Sequence, residues 1–264
     1  VITVANTWIS TSETISQAGA KPVFVDIHPD YYTIDVSKIE EKITSKTKAI
    51  LPVHLFGQPA EMDEIKRLCE KYNLLLIEEC AQAHFAEWKG QKVGTFGVAG
   101  TFSFFPGKNL GAYGDAGAIV SNDDEFATKA RMFANHGALK KHHHEIEGIN
   151  SRLDGMQAAI LSVKLPHILK WSQSRLNNAE LYNELLSDSN NVVTPKIHSD
   201  VKHVFHLYVI RMNKRAELQN HLKEKQISTG IHYPTPLPFL RAYEYLGHTH
   251  EDFPVAFDYH DKIL

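Results

Sequence analysis

Short apolar runs alternate with amphipathic segments along the first half of the chain. The sequence predicts strands at 22–26, 48–53, 74–79, 99–105 and 116–121, and helices at 7–18, 61–72 and 124–135. Strands that alternate with helices of about 10–15 residues are typical of βαβ units, in which each crossover helix covers a face of the sheet. We therefore predict an α/β fold with a mostly parallel sheet flanked by helices.

The pattern changes after the last of these helices. A polar segment at 138–148 contains three consecutive histidines, His142, His143 and His144. Neighbours in sequence seldom converge on one ion, so we interpret this segment as an exposed loop rather than as a metal site.

The second half of the chain differs in composition and pattern. A long helical segment at 153–187 is interrupted by Pro166, and residues 204–210 alternate like a strand. A helix follows at 215–226. We predict a large domain over residues 1–165, and a linker helix with a smaller α+β C-terminal domain over residues 166–264.

Composition limits the kinds of partner. The chain has 264 residues, of which 22% are charged, and its formal net charge is -3, so we expect neither nucleic acid nor an anionic membrane as a partner. No apolar run approaches the roughly 20 residues that span a bilayer. Two cysteines, Cys69 and Cys80, make neither a disulfide framework nor a metal site by themselves, and they fit a reducing cytoplasm.

One lysine lies in a turn rich in proline and glycine. Residues 103–111 read Ser-Phe-Phe-Pro-Gly-Lys-Asn-Leu-Gly, and upstream the strand at 74–79 ends on Glu78 and Glu79. Parallel sheets bind ligands at the carboxyl ends of their strands, where we expect Glu79 and Lys108 to meet. A lysine amine that forms a Schiff base, with a carboxylate that keeps a pyridinium protonated, suits pyridoxal 5'-phosphate.

Interpretations without a catalytic role also exist for these residues. A lysine after a glycine is most often a solvated loop residue, and two glutamates at the end of a strand are usually exposed charge. A Walker A phosphate loop fails, because Asn109 stands where serine or threonine binds magnesium and no glycine lies five residues before Gly107.

Several longer motifs resemble the DegT/DnrJ/EryC1/StrS family of pyridoxal-phosphate-dependent sugar aminotransferases, which have aminotransferase fold type I. These motifs occur in order along almost the whole chain, at 22–26, 52–57, 77–84, 103–117, 135–137, 148–154 and 232–234. The resemblance implies a fold type I large domain and a homodimer with shared active sites.

The resemblance also implies roles for individual residues. Lys108 matches the lysine that links to the cofactor and moves a proton, and Trp8 matches the aromatic residue that stacks on the pyridine ring. Gln82 matches the residue beside the cofactor's phenolic oxygen, and Ser103 matches a serine that donates to the phosphate. Asn150 matches an asparagine that reaches the phosphate from the neighbouring subunit, and His232 and Tyr233 belong to a motif near the substrate.

Two positions depart from the family's pattern. Glu79 replaces the usual aspartate at the pyridine nitrogen, and Phe85 stands where a small residue, usually glycine, is expected. Period-two alternation directs the neighbouring Glu78 to the opposite face of the sheet, so we expect its replacement by Gln to change the reaction rate little.

The chain also lacks parts that the resemblance leads us to expect. The family's phosphate-binding turn would precede Val1, and part of the small domain would follow Leu264. We therefore expect a fragment that binds the cofactor poorly by itself.

The function that the resemblance implies is transfer of an amino group, usually from glutamate, to a keto nucleotide-sugar in deoxyamino-sugar biosynthesis. A sugar dehydratase is a second possibility, although such relatives replace the lysine by histidine. A catalytically silent nucleotide-sugar sensor is a third. The sequence identifies neither the sugar nor its keto carbon.

Overall fold

The computed structural model describes residues 1–264 and confirms the α/β class. Its main sheet has six strands, which are β1 (Ile2–Val4), β2 (Val23–Val25), β3 (Ala49–Leu51), β4 (Leu75–Glu79), β7 (Ala99–Ser103) and β8 (Gly117–Val120). Their order in the sheet is β2-β1-β3-β4-β7-β8, and every neighbouring pair is parallel except the antiparallel pair β7 and β8. A small antiparallel sheet contains β5 (Glu87–Trp88), β6 (Gln91–Lys92) and β9 (Val201–Lys202).

Seven α-helices accompany the sheets. They are α1 (Ser10–Gln17), α2 (Met62–Tyr72), α3 (Asp124–Phe133), α4 (Gly155–Lys164), α5 (Ile168–Leu185), α6 (Arg215–Glu224) and α7 (Pro254–Tyr259). Pro166 lies in the short 3-10 turn between α4 and α5, which interrupts the predicted long helix at the expected place. None of the helices combines the length and the apolar character that crossing a membrane requires.

Helix α2 illustrates how the sequence produces its local structure. Met62, Ile65, Leu68 and Cys69 repeat at helical spacing and are all buried. Acidic residues occupy its first turn, and Asn73 ends it in the left-handed conformation.

One core cluster joins both halves of the chain. It contains sheet residues such as Ile2, Val4 and Ile50, together with Phe253 and Ile263 from the C-terminal part. Asp26, at the end of β2, accepts hydrogen bonds from the backbone N–H groups of Val255 and Ala256. The C-terminal part is therefore fixed directly on the sheet.

The predicted strand at 204–210 is wrong. Its backbone groups bond to other parts of the chain, since Val204 N donates to Gly57 O and Leu207 N donates to Phe56 O. Phe205 has a φ of 41°, which breaks the extended conformation that a strand needs. This irregular segment brings His206 to the cavity described below.

Candidate active site

A cavity of about 1200 Å³ opens at the carboxyl ends of β4 and β7. This is the location at which parallel sheets bind their ligands. Seven of the eight residues singled out from the sequence line it, namely Trp8, Glu79, Gln82, Ser103, Lys108, His232 and Tyr233. Asn150 is exposed and does not line the cavity; it pairs with Asn135 in an isolated β-bridge.

The turn after β7 holds Lys108 at the cavity. Lys108 N donates to Phe105 O at 2.8 Å, and Ala112 N donates to Phe104 O at 2.7 Å. A Cβ at Gly111 would lie 2.3 Å from Pro106 O, so the turn closes only with glycine there. Buried Leu110 fixes the far side of the turn in an apolar cluster.

Lys108 and Glu79 perturb each other's protonation. Burial raises the pKa of Glu79 to about 7, against the opposing effects of the Lys108 charge and the Ala81 N–H. Burial lowers the pKa of Lys108, and Glu79 opposes this change. An amine with a lowered pKa and a carboxylate in one cavity are the groups that proton transfer requires.

Glu78 lies on the other face of β4 and is completely buried. Its carboxylate accepts hydrogen bonds from the N–H groups of Gly94, Phe96 and Gly97, at 2.7, 2.7 and 3.0 Å. His54 Nε2 lies 3.2 Å from the same carboxylate. Replacement of Glu78 by Gln would turn a donor NH2 toward these backbone donors and would therefore lower stability. The small expected effect of this replacement on the reaction rate stays a prediction.

Three potential metal ligands also lie close together, namely His54, Glu78 and Cys80. His54 Nδ1 already accepts from Ala60 N, and the Glu78 oxygens accept the N–H groups named above. Because the ligand atoms of His54 and Glu78 already make hydrogen bonds within the protein, we interpret this cluster as structural. The three adjacent histidines lie elsewhere, on the exposed segment, where His144 Nδ1 bonds to His136 O at 2.7 Å.

A hydrogen-bond chain orders Gln82 and Tyr233 in the lining of the cavity. Gln82 Oε1 accepts from Phe56 N at 2.6 Å, and Gln82 Nε2 donates to the Tyr233 hydroxyl at 3.1 Å. The hydroxyl therefore keeps its own hydrogen to donate, and burial next to Glu79 raises the pKa of Tyr233 to about 12. The Trp8 ring is 59% exposed and lies 5.9 Å from the Tyr233 ring, so a flat apolar surface faces the cavity.

Ser103 and His232 complete the set. Ser103 Oγ accepts from Phe105 N at 3.2 Å, so its hydroxyl hydrogen is available to a ligand. Burial and the Lys108 charge lower the pKa of His232. The site thus combines neutral and cationic donors with the Glu79 carboxylate.

Sequence reasoning missed His206, which also lines the cavity. Burial and nearby positive charge lower the pKa of His206 to about 3. The available signal was a histidine within an otherwise apolar run, which the prediction of a strand obscured. Arg152 and Asp154, both within the motif at 148–154, line the cavity too.

Comparisons with known proteins agree with this geometry. The sequence matches the DegT/DnrJ/EryC1/StrS aminotransferase family over residues 1–264. A protein of Geobacillus stearothermophilus named "Pleiotropic regulatory protein" is 49% identical, with 97% of this chain and 69% of the relative covered. The dTDP-3-amino-3,6-dideoxy-alpha-D-galactopyranose transaminase of Aneurinibacillus thermoaerophilus is 45% identical, with 100% of this chain and 72% of the relative covered.

A solved structure gives the same result for the fold. The crystal structure of S. venezuelae DesV in complex with a ketimine intermediate is 38% identical and has a TM-score of 0.96. The match covers 99% of this chain and 71% of DesV.

Proposed function

The chain belongs to the DegT/DnrJ/EryC1/StrS aminotransferase family, and we propose that it transfers an amino group, from glutamate, to a keto group of a nucleotide-activated sugar with pyridoxal 5'-phosphate as cofactor. The observation that carries this proposal is the meeting of Lys108 and Glu79 in one cavity. Lys108 is the only lysine among the residues that line it.

The residues present fit the cofactor. Its aldehyde needs one amine, its ring needs a flat partner and its phosphate needs donors. Lys108 supplies the amine, the exposed Trp8 ring supplies the flat surface and Ser103 has a hydroxyl hydrogen free. Glu79 would supply a carboxylate for the ring nitrogen, and Gln82 lines the same cavity.

When bound, pyridoxal 5'-phosphate supplies an electron sink that makes a carbon–hydrogen bond next to nitrogen acidic. Lys108 Nζ would be the group that takes this proton and returns it, because burial lowers the pKa of this amine. The Glu79 carboxyl would pair with the ring nitrogen and favour its protonated form, and the low dielectric of the cavity would strengthen this pairing. Tyr233 stays protonated and acts as a donor.

The names of the relatives support nucleotide-sugar substrates. One relative is named as a transaminase of a dTDP-amino sugar, which supports an acceptor of the same class here. The name of the Geobacillus stearothermophilus relative concerns regulation, but the cavity retains the lysine and the carboxylate that transamination uses. A sensor would need neither group, and a dehydratase of this family lacks the lysine. We therefore favour the transaminase.

We propose that the active protein is a homodimer with shared active sites. Apolar side chains near the cavity are unusually exposed for a monomer, among them Phe105, Ile149, Leu153 and Met156. Asn150 lies among these residues, outside its own cavity, which suits a role at the partner's site. Both cysteines are free and buried, which suits the cytoplasm as the location.

The test is an assay of the intact protein with glutamate, pyridoxal 5'-phosphate and a panel of keto nucleotide-sugars. We expect amino-sugar formation with at least one member, and loss of that product in the Lys108→Ala variant. Nucleotide-sugar binding with no product from the wild-type protein would support the sensor instead.

A further inference from the structure

His206 reaches the cavity from a segment almost one hundred positions away from Lys108. The connection is made by Asn109, the residue that follows Lys108. Asn109 Oδ1 lies 3.1 Å from His206 Nδ1, and Asn109 Nδ2 donates to Val204 O at 3.0 Å. Asn109 is buried, so both contacts are shielded from water.

These contacts determine the tautomer of His206. The carbonyl of Val204 can only accept, so the Asn109 amide must direct its NH2 group there and its oxygen toward the imidazole. An amide oxygen also only accepts, so His206 Nδ1 carries the hydrogen. His206 Nε2 then has a free lone pair and no protein partner.

The backbone around His206 is held from several sides. Arg175 Nη1 donates to Phe205 O at 3.1 Å and to His206 O at 3.2 Å. A Cβ at Gly57 would lie 2.9 Å from the nitrogen of His206, so Gly57 lets the two segments approach closely. Such support is typical of a side chain whose orientation matters for a ligand.

Burial and nearby groups keep the imidazole neutral. Burial lowers the pKa of His206, and Lys108, Arg175, His84 and His232 lower it further. The cavity lining also contains three carboxylates, Glu79, Asp115 and Asp154, which attract cations as well as hydroxyl groups. A neutral nitrogen lone pair instead selects an O–H donor.

We propose that His206 Nε2, fixed in its tautomer by Asn109, binds a hydroxyl group of the sugar substrate. This inference rests on the proposed function, because that function supplies a ligand rich in hydroxyl groups. It assigns His206 to substrate recognition and Asn109 to the positioning of His206.

The first test is NMR of the cofactor-free protein labelled with ¹⁵N-histidine. His203 gives an internal control, because its Nδ1 accepts from Phe205 N at 2.9 Å and its hydrogen must therefore be on Nε2. We expect hydrogen on Nδ1 for His206 and on Nε2 for His203 at neutral pH, with Asn109→Ala changing only the former. Hydrogen on Nε2 of His206, or a charged imidazole, would overturn the tautomer assignment.

The second test compares two substitutions by steady-state kinetics. His206→Asn keeps an amide near Asn109 but removes Nε2, whereas His206→Gln returns a carbonyl oxygen near the Nε2 position. We expect KM for the keto sugar to rise about tenfold in His206→Asn, as for one lost hydrogen bond, and to recover in part in His206→Gln. The value of kcat should change much less.

His203→Asn is the matched control, because it lies in the same segment but outside the cavity, and its KM should stay at the wild-type value. An unchanged KM in His206→Asn would overturn the role in substrate binding. If the wild-type protein transfers no amino group, both the proposed function and the proposed ligand of His206 are overturned. The NMR measurement tests the tautomer of His206 independently of that result.

Discussion

Glu79 contributes a longer carboxylate than the aspartate that the family pattern leads one to expect, and its environment is unusual in its own right. Burial raises the pKa of Glu79 to about 7 from an ordinary 4.5. The folded cofactor-free protein therefore binds a proton that the unfolded chain releases between these values. Its stability should fall as pH rises from about 4.5 to 7.

We expect Glu79→Gln to reduce the transamination rate by about two orders of magnitude or more, since a neutral amide does not hold a proton on the ring nitrogen. The same variant should lose the fall in stability between pH 4.5 and 7 that the wild-type carboxyl causes. Kinetics at saturating cofactor and denaturation of the cofactor-free protein at several pH values measure the two effects. A wild-type rate in Glu79→Gln would mean that another group serves the ring nitrogen.

Phe85 carries the second departure from the family pattern, and its backbone explains why glycine is usual there. Its φ is 64°, a left-handed conformation that a bulky residue adopts at a cost. The ring packs beside buried Leu110 and Ile168, which offsets that cost in part.

We expect Phe85→Gly to be more stable than Phe85→Ala by about 1–2 kcal/mol, although both variants lose the ring. The comparison isolates the backbone, because only the Cβ differs between the two variants. Chemical denaturation of the cofactor-free protein provides the measurement, and equal stabilities would contradict a strained backbone at this position.

Among the helices and strands, the sequence predicts those whose own residues carry a strong periodic pattern. Helix α2 and strand β4 have strong periodic patterns, and the structure contains them within about one residue of the predicted bounds. Residues 204–210 also alternate, yet their hydrogen bonds go to distant groups such as Phe56 and Gly57. Such long-range partners leave no periodic signal, so His206 could not be found from the pattern.

The residues of the candidate site also differ in whether a local sequence signal reveals them. Lys108 and Glu79 could be predicted because a strand end and a glycine-rich turn each have local signals, and the parallel sheet brings them together. The buried role of Glu78 could not be predicted from the sequence, because a later loop supplies its hydrogen-bond partners, Gly94, Phe96 and Gly97.

Helix α7 is attached to the sheet through Asp26. Asp26 accepts from the N–H groups of Val255 and Ala256, both at 2.9 Å, and is buried. We expect Asp26→Ala to lower the free energy of unfolding by about 1–3 kcal/mol, because these donors lose their acceptor. Asp35→Ala is the control, since that carboxylate bonds only within its own short turn, to Ser37 and Lys38, and its loss should cost less. Equal losses in denaturation of the two variants would contradict the role of Asp26 in fixing α7.

For the whole molecule, the division into domains over 1–165 and 166–264 stays a prediction. The two parts contribute to one core cluster, so we expect them to unfold in a single transition. The homodimer with shared sites is likewise a proposal, based on Asn150 and the apolar side chains around it.

Mixed variants test this assembly. Lys108→Ala and Asn150→Ala should each lose most activity alone, but a mixed dimer contains one site with both native residues. Random mixing should therefore restore up to about a quarter of the wild-type activity. Sedimentation under the same conditions should give a dimer. An active monomer, or no recovery after verified subunit exchange, would contradict shared sites.

Lys108 is the amine that we propose to bind the cofactor. Reduction of the pyridoxal-phosphate-loaded protein with borohydride makes the link permanent, and peptide mass spectrometry then locates it. We expect the pyridoxyl group on Lys108 alone, with no labelled peptide from the Lys108→Ala variant. A pyridoxyl group on a different lysine in the wild-type protein would contradict the account.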